Sequence, residues 1–329
     1  MTAPLITAAI TAFNAAETIG DAIRSAIMQD WPRLEIVIVD DCSTDSTAAV
    51  IEAVIRDCNS ADRPIRLISL PKNGGVAQAR NVLMNEARGE FLAFFDDDDV
   101  SLPNRISRQF SRIVEAEEIV GNDLLLCHTA RKQIFPDGRS YYEGTMGCEG
   151  ATIPTGRAIV ERILIGRISP GILGSCATCS QMARLSVYRR LGGFDVELRR
   201  TEDTDLNIRC GMQGGSIVGL ADALVVQSMT IGTEKNLFAE LDAYTALHDK
   251  YRNFLHEVGW YDFALGWRSI RRAHLEHGVR RAAVLSLSLF LRHPVKVMKK
   301  LYWSLPAHGT RRRQRAWYHS AFRDVTKLS

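Results

Sequence analysis

Four consecutive carboxylates, Asp96 to Asp99, come directly after the short apolar run Phe91–Phe95. Like charges this close repel one another and raise each other's pKa values unless a cation lies among them. Hard divalent ions take carboxylate oxygens, and Mg²⁺ typically combines one or two carboxylates with substrate phosphates. The run therefore suggests a metal–diphosphate site at the end of a buried strand. An ordinary acidic turn that caps a helix near Pro103 is the alternative that the run alone leaves open.

Two other acidic points stand at the ends of predicted elements. Asp41 follows the apolar strand 34–39, where its carboxylate can accept hydrogen bonds from a ligand, although it can equally start the cap of the next helix. Glu202 and Asp203 follow a Gly-Gly-Phe-Asp turn and precede a helix. Two adjacent acids there suit a general base whose pKa is tuned by its neighbours, and a helix cap from Thr201 is the alternative.

Short apolar, β-branched segments alternate with segments of helical periodicity along the first 130 residues. The pattern predicts strands at 5–11, 34–39, 65–70, 91–95 and 123–130. It predicts intervening helices at 17–29, 43–59, 76–87 and 103–118, and later a helix at 184–191, a helix at 204–213 and a strand at 217–226. This alternation indicates an α/β fold with a mixed, mainly parallel sheet flanked by helices, whose ligands bind at the carboxyl ends of the strands.

Composition and charge narrow the class of protein. The chain has 329 residues, an ordinary globular composition and seven scattered cysteines, an odd number that suits a reducing compartment. The N-terminal segment lacks a basic stretch and indicates no signal peptide. Residues 266–329 carry fifteen Lys and Arg against two acids, net +13, whereas the remainder nets −10. A basic segment on an acidic body suggests contact with an anionic surface.

The C-terminal region has an amphipathic pattern. The apolar run Ala282–Leu291 is ten residues long, about half of the ~20 needed to span a bilayer. After it, apolar residues share one helical face, with lysines opposite: Val295, Met298, Leu301, Tyr302 and Leu305. Segment 279–315 is therefore predicted to contact anionic lipid peripherally. A helical pair packed on the main domain, with a solvated basic face, is the alternative; a nucleic-acid partner is not expected.

Four sequence blocks, in this order, resemble the inverting GT-A glycosyltransferases of family 2. They are ITAAITAFN followed by EIVIVDDCSTDST, then NGGVAQARN, FLAFFDDDDVSLPNR and LGGFDVELRRTEDTDLNIR, within residues 5–228. The resemblance implies a GT-A catalytic domain at 1–232, with a nucleotide-binding half at about 1–120 and an acceptor half at about 121–232. Residues 233–329 would form a helical, basic C-terminal extension.

The resemblance also implies roles for individual residues. It implies a set that binds the sugar-nucleotide donor: Thr11, Phe13, Asn14, Asp41, Arg80, Asp96 and Asp97. Mn²⁺ or Mg²⁺ would be held by Asp98 and Asp96. Asp203 would be the catalytic base, with Glu202 beside it. The family often carries His or a Tyr-Arg cluster after the last strand, whereas this chain reads VVQSMT at 225–230, which leaves a third metal ligand open.

The implied reaction is transfer of one sugar, with inversion, from a nucleotide-diphospho-sugar such as UDP-glucose. The acceptor would be a lipid-linked oligosaccharide or other glycan in exopolysaccharide or surface-glycan synthesis, at the inner face of the cell membrane. Two alternatives remain. A sugar-phosphate nucleotidyltransferase would carry a GxGTR-like loop, which TAFNAAET lacks. A non-catalytic nucleotide- or glycan-binding scaffold would have lost the acid that binds the metal or the acid that acts as catalytic base. Both Asp98 and Asp203 are present.

Overall fold

The computed structural model describes residues 3–148, 152–229 and 234–305. The chain divides into two compact units. The first contains Met1–Val160 and Ser169–Thr230, and the second contains Glu161–Ile168 and Ile231–Ser329.

The first unit alternates strands and helices as the sequence predicts. Its N-terminal part contains β1 (Ile6–Ala12), α1 (Ile19–Ile27), β2 (Leu34–Asp40), α2 (Thr47–Cys58), β3 (Ile65–Ser69), α3 (Val76–Glu86) and β4 (Phe91–Phe95). There follow β5 (Asp99–Ser101), α4 (Arg105–Val120), β6 (Leu125–Ile134), β7 (Ser140–Glu143) and α5 (Arg157–Ile165), which crosses the boundary between the units. The unit is completed by β8 (Gln181–Arg184), α6 (Leu185–Arg190), α7 (Glu202–Met212) and β9 (Ser216–Ser228).

The strands form one mixed sheet in the order β3-β2-β1-β4-β8-β6-β9-β5, with β7 paired to β6. The first four strands are parallel, and Ile6 of β1 lies opposite both Leu34 and Phe91. Because β2 and β4 flank β1 on opposite sides, the chain reverses its direction of winding between β1 and β4. Such a switch point opens a crevice at the carboxyl ends of the strands, where ligands of α/β proteins bind. The predicted α/β class is confirmed.

Burial on both faces explains the apolar composition of the central strands. Every residue of β1 and β2 is buried. Ile36 and Ile38 belong to one apolar core, whereas Val37 and Val39 belong to another. Because successive side chains of a strand point to opposite faces, the two cores lie on opposite sides of the sheet.

The sequence analysis predicts no bounds for four of the observed elements, namely β5, β7, β8 and α5. The strands β5 and β8 have three and four residues, and α5 lies in a segment without a clear pattern. Both short strands pair antiparallel with strands that are distant in the chain. Helix α7 begins at Glu202, two residues before the predicted Thr204, so Glu202 and Asp203 occupy its first turn.

The part of the second unit that the structure describes is helical. It contains α8 (Glu234–Lys250), α9 (Arg252–Glu257) and α10 (Tyr261–Arg292), and residues 294–305 are also helical. Gly278 interrupts α10 with φ 76° and ψ −172°, so the segment after it is a separate helical stretch. None of the described helices combines the length and apolar character needed to cross a membrane. The basic residues Arg311–Arg313 and Arg315 of the predicted lipid-contacting segment 279–315 lie outside the described residues.

His128 of β6 is a titratable group in the interior of the first unit. Its side chain is fully buried, and Nδ1 lies 3.3 Å from the carbonyl oxygen of Ala177. The amide nitrogen of Gln181 lies 3.3 Å from Nε2. Burial lowers the pKa of His128 from 6.5 to about 4, because a buried imidazolium would lose its hydration.

This pKa shift predicts acid sensitivity. The unfolded chain binds the proton of His128 first, so stability is unaffected above about pH 7 and falls as the pH drops from 6.5 towards 4. His128→Gln should remove this contribution, on the order of 3 kcal/mol at pH 4. Urea unfolding of both proteins between pH 7.5 and 4 measures it. Parallel pH profiles of unfolding free energy would contradict the assignment.

Candidate functional site

A cleft of about 370 Å³ opens at the switch point between β1 and β4. Six of the seven predicted donor-binding residues line it, together with the predicted metal ligand Asp98: Thr11, Phe13, Asp41, Arg80, Asp96 and Asp97. They come from the ends of β1, β2 and β4 and from helix α3. The topology thus brings together residues that are up to 87 positions apart in the chain.

Asn14 does not line the cleft. Its backbone has φ 50°, a left-handed conformation that Asn adopts more readily than most residues. Its N–H donates to Ser43 Oγ at 3.0 Å, and its Oδ1 accepts from the Thr44 N–H at 2.8 Å. Asn14 therefore ties the loop after β1 to the loop after β2.

Asp41 is anchored by the start of helix α3. Its two carboxylate oxygens accept the N–H groups of Gly74 at 2.7 Å and Gly75 at 2.8 Å. The φ of Gly75 is 84°, in the region that favours glycine. A carboxylate offers about four acceptor positions, so these bonds leave Asp41 able to accept from a ligand as well.

Asp97 and Asp98 have different environments. Asp97 Oδ2 accepts the N–H of Phe13 at 2.9 Å, which joins the end of β4 to the end of β1. Burial, supported by the charges of Asp96 and Asp98, raises the pKa of Asp97 to about 6. Burial and the charge of Asp96 also raise the pKa of Asp98. Among the described residues, Asp98 has no ion-pair partner.

Asp99 points into the protein from β5. Its Oδ1 accepts the Ser228 N–H at 3.3 Å, and its buried Oδ2 has no hydrogen-bond partner among the described residues. Burial, with the charges of Asp96 and Asp98, raises the pKa of Asp99 to about 7. Ligand atoms of Asp96, Asp99 and Cys179 lie within 4.8 Å of one another.

Arg80 connects the two groups of acids. Its guanidinium donates to Asp96 Oδ1 at 3.3 Å and to Glu202 Oε1 at 2.8 Å, and its side chain is almost completely buried. Burial by itself would lower the pKa of Arg80, but the charges of Asp96, Glu202 and Asp203 reverse that effect and raise it. Arg80 therefore stays charged, and it bonds Glu202 across 122 positions of the chain.

Glu202 and Asp203 lie next to this bridge. Glu202 is buried, and burial together with the charge of Asp203 raises its pKa despite the ion pair with Arg80. Asp203 is half-buried, and its Oδ1 accepts the N–H of Thr204 at 2.6 Å. Burial raises the pKa of Asp203 more than Arg80 and Thr204 lower it. A carboxylate of increased basicity, with Oδ2 unpaired among the described residues, can accept a proton.

The acids at the end of β4 fit a hard divalent cation. Asp98 contributes to the cleft wall a carboxylate whose charge no described basic side chain balances. Oxygen donors with surplus negative charge are what Mn²⁺ and Mg²⁺ require. Cys179 fits less well, because burial raises the pKa of its thiol well above the usual range and keeps it protonated. Asp96 and Asp98 both line the cleft, whereas Cys179 is not among its described lining residues.

Comparison with known proteins relates this chain to glycosyltransferases. The family description "Glycosyl transferase family 2" matches residues 7–188. The succinoglycan biosynthesis protein ExoO of Rhizobium meliloti is 40% identical over 109 residues, 33% of this chain and 30% of ExoO. The UDP-Glc:alpha-D-GlcNAc-diphosphoundecaprenol beta-1,3-glucosyltransferase WfaP of Escherichia coli is 33% identical over 117 residues, 35% of this chain and 43% of WfaP. The chain thus spans less than half the length of either relative.

Solved structures show the same fold. TarS 1-349 of S. aureus in complex with UDP superimposes with a TM-score of 0.52 at 22% identity, covering 74% of this chain and 64% of TarS 1-349. Its complex with UDP-GlcNAc gives a TM-score of 0.51 at 23% identity, covering 70% and 60%. This likeness confirms the predicted GT-A architecture.

Arg105, which the sequence patterns do not indicate, supports the acidic loop Asp96 to Asp99 from the protein interior. Its fully buried guanidinium donates to the Phe94 carbonyl oxygen at 2.7 Å and to Ser101 Oγ at 2.9 Å. It also donates to Gln109 Oε1 at 3.0 Å. Phe94 and Ser101 stand on either side of the four aspartates, so one side chain holds both ends of the loop. Burial lowers the pKa of Arg105 to about 10, which still leaves it charged at neutral pH.

Removing this guanidinium should destabilise the first unit. Arg105→Met leaves the buried carbonyl oxygen of Phe94 and the amide oxygen of Gln109 without donors, so we expect a loss of ~3 kcal/mol in unfolding free energy. Arg108→Met, on the same helix, removes only an exposed ion pair with Asp222 and should cost less than about 1 kcal/mol. Urea denaturation of both variants compares them. Equal losses of unfolding free energy in the two variants would contradict the inference that Arg105 holds both ends of the acidic loop.

Proposed function

Because the chain belongs to glycosyl transferase family 2, we propose that it transfers one sugar from a nucleotide-diphospho-sugar to a glycan acceptor, with inversion at the sugar carbon. The Arg80 bridge is the observation that carries the proposal. It joins Asp96, in the cleft, to the Glu202–Asp203 pair at the start of α7. A single displacement needs a donor site and a base on the far side of the reacting carbon, and the bridge links two acidic points suited to these tasks.

The proposed donor is a UDP-hexose such as UDP-glucose. WfaP is named for UDP-Glc, and the TarS fold was solved with UDP and with UDP-GlcNAc. In this chain, Asp41 would accept hydrogen bonds from the base, with Thr11 and Phe13 lining the same cleft. Arg80 would stand near the base or the diphosphate, while Asn14 would act by holding the loop that carries Phe13. Residues 1–232 would form the catalytic domain and 233–329 its extension.

Asp98 and Asp96 would hold Mn²⁺ or Mg²⁺. When bound, the ion supplies Lewis-acid stabilisation of the negative charge that develops on the leaving diphosphate. Asp97 would position the donor through the loop after β1, because it accepts the N–H of Phe13. Asp99, directed inward on β5, would contribute to the shape of the loop.

Asp203 would act as the base. An acceptor hydroxyl is a weak nucleophile and must lose its proton as it attacks. The raised pKa of Asp203 increases its proton affinity, and the Thr204 N–H orients its carboxylate. Glu202, fixed by Arg80, would lie beside the acceptor. No carboxylate nucleophile is needed, because one displacement inverts the sugar carbon.

The acceptor would be a lipid-linked oligosaccharide or another glycan of a bacterial surface polysaccharide. ExoO is named for succinoglycan biosynthesis, and the name of WfaP specifies a diphosphoundecaprenol-linked sugar. A lipid-linked acceptor would bring the enzyme to the inner face of the cell membrane. Peripheral contact through residues 279–315 would hold it there.

Asp203→Asn should strongly slow catalysis while leaving donor binding intact. We expect turnover of a UDP-hexose with Mn²⁺ to fall by roughly two to four orders of magnitude, since the amide cannot accept the proton. UDP affinity, measured by calorimetry, should change less than about threefold. Glu197→Gln, an exposed acid nearby, is the matched control and should retain full activity. Undiminished transfer in Asp203→Asn would eliminate Asp203 as the base, and donor binding without turnover in the native protein would favour a binding scaffold.

Asp98→Asn should weaken the metal site selectively. We expect the Mn²⁺ concentration for half-maximal activity to rise at least about tenfold, since one charged ligand is lost. The increase in Tm that UDP and Mn²⁺ produce together should also shrink. Asp97→Asn keeps an oxygen that can accept the Phe13 N–H and should leave the Mn²⁺ requirement unchanged. Equal effects at the two positions would refute the proposed division of roles.

A further inference from the structure

The last helical segments of the second unit expose their apolar side chains to solvent. Over residues 294–305, the exposed side chains are mainly apolar, with Val295, Met298 and Leu305 between 59% and 64% exposed. These residues follow one another at intervals of three to four, together with Leu301 and Tyr302, so they share one helical face. The apolar side of this amphipathic helix is therefore the side that meets solvent.

The lysines on the opposite side point into the unit. Lys300 Nζ donates to the carbonyl oxygen of Ile165 at 2.8 Å, at the end of α5. Lys296 Nζ donates to the carbonyl oxygen of Gly259, just after α9. Positive charge near the last carbonyl groups of a helix is stabilising, which gives these two lysines a structural function. A helix packed for solubility would instead direct its lysines outward and its apolar face inward.

The segment of α10 after Gly278 continues the pattern. Val284, Leu287 and Leu291 recur at helical spacing, and all three are at least 60% exposed. Ala282 and Leu289 of the same segment are buried. The buried pair fixes this segment to the unit, and no other part of the chain that the structure describes covers its opposite, apolar face.

The basic residues around this apolar face indicate what kind of partner it binds. Residues 278–305 contain six Lys and Arg and no acid. Besides the two inward lysines, the four others are exposed: Arg280, Arg281, Arg292 and Lys299. An exposed apolar stripe edged by cations matches the interface of an anionic bilayer, where apolar side chains enter the acyl boundary and cations meet lipid phosphates.

We propose that residues 279–305 form a docking face for an anionic lipid bilayer, with the stripe Val284-Leu287-Leu291 and Val295-Met298-Tyr302-Leu305 inserted at the interface. The proposal deepens the peripheral attachment given above and rests on it for its biological purpose. The mode of contact differs from that of a polybasic patch, because only part of the basic charge faces the lipid and the apolar stripe supplies the rest of the affinity.

Vesicle sedimentation of the full chain tests the proposal. Vesicles of phosphatidylglycerol and phosphatidylcholine should bind the protein at least about tenfold more tightly than phosphatidylcholine alone. The double variant Leu291→Glu/Met298→Glu should lose at least about tenfold of that affinity. Val196→Glu/Met212→Glu introduces the same charge at positions with 50% and 51% exposure in the first unit and should bind like the native protein.

Three results would overturn the proposal. They are no binding to anionic vesicles, equal binding by the two double variants, and a dimer that Leu291→Glu/Met298→Glu dissociates in analytical ultracentrifugation without lipid. The last result would assign the face to a second copy of the chain. Transfer from UDP-hexose to a water-soluble acceptor, measured on the same proteins, separates the two proposals. Vesicle binding without transfer would refute the proposed reaction alone, and transfer without binding would refute the docking face alone.

Discussion

Too much negative charge in one place is the physical problem around which the first unit is built. Asp96, Asp97, Asp98, Glu202 and Asp203 all lie buried or half-buried near one cleft. Such charges repel one another and resist burial, which is why so many of these acids have raised pKa values. The structure opposes this repulsion with Arg80, which contacts both groups of acids. No described basic side chain balances the charge of Asp98.

The order of the parallel strands explains why acids from distant parts of the chain meet at the cleft. Parallel strands end on one edge of the sheet, so residues that follow β1, β2 and β4 become neighbours. Short connections between loops then fix the geometry. Asn14 joins two loops, Asp97 joins the end of β4 to Phe13, and Arg105 spans the acidic loop from the interior. The loops of the cleft are thus held by specific hydrogen bonds as well as by the packing of the sheet.

Local sequence patterns predict much of this, but contacts between distant residues escape them. Strand β4 is predicted at its observed bounds because an unbroken apolar run determines it locally. Strands β5 and β8 are too short to show a period, and their partners are distant. The acids themselves could be identified from their spacing. The Arg80–Glu202 ion pair could not be predicted, because its residues are 122 positions apart and no local pattern relates them. The sequence also does not predict that helix 294–305 exposes its apolar face, because an amphipathic pattern does not determine which side faces solvent.

The anchoring of Asp41 has a consequence for how such a chain can evolve. Asp41 holds the amides of Gly74 and Gly75 while lining the cleft, so one carboxylate serves both the backbone and the pocket. A mutation that altered the pocket at this position would also release the start of α3. Conversely, a side chain at position 75 would have to adopt a strained left-handed backbone to keep its N–H on Asp41. Replacement of Asp41 by an apolar residue would therefore remove a carboxylate from the pocket and, in the same step, the acceptor of the Gly74 and Gly75 N–H groups. Selection on the pocket at this position cannot be separated from selection on the loop that begins α3.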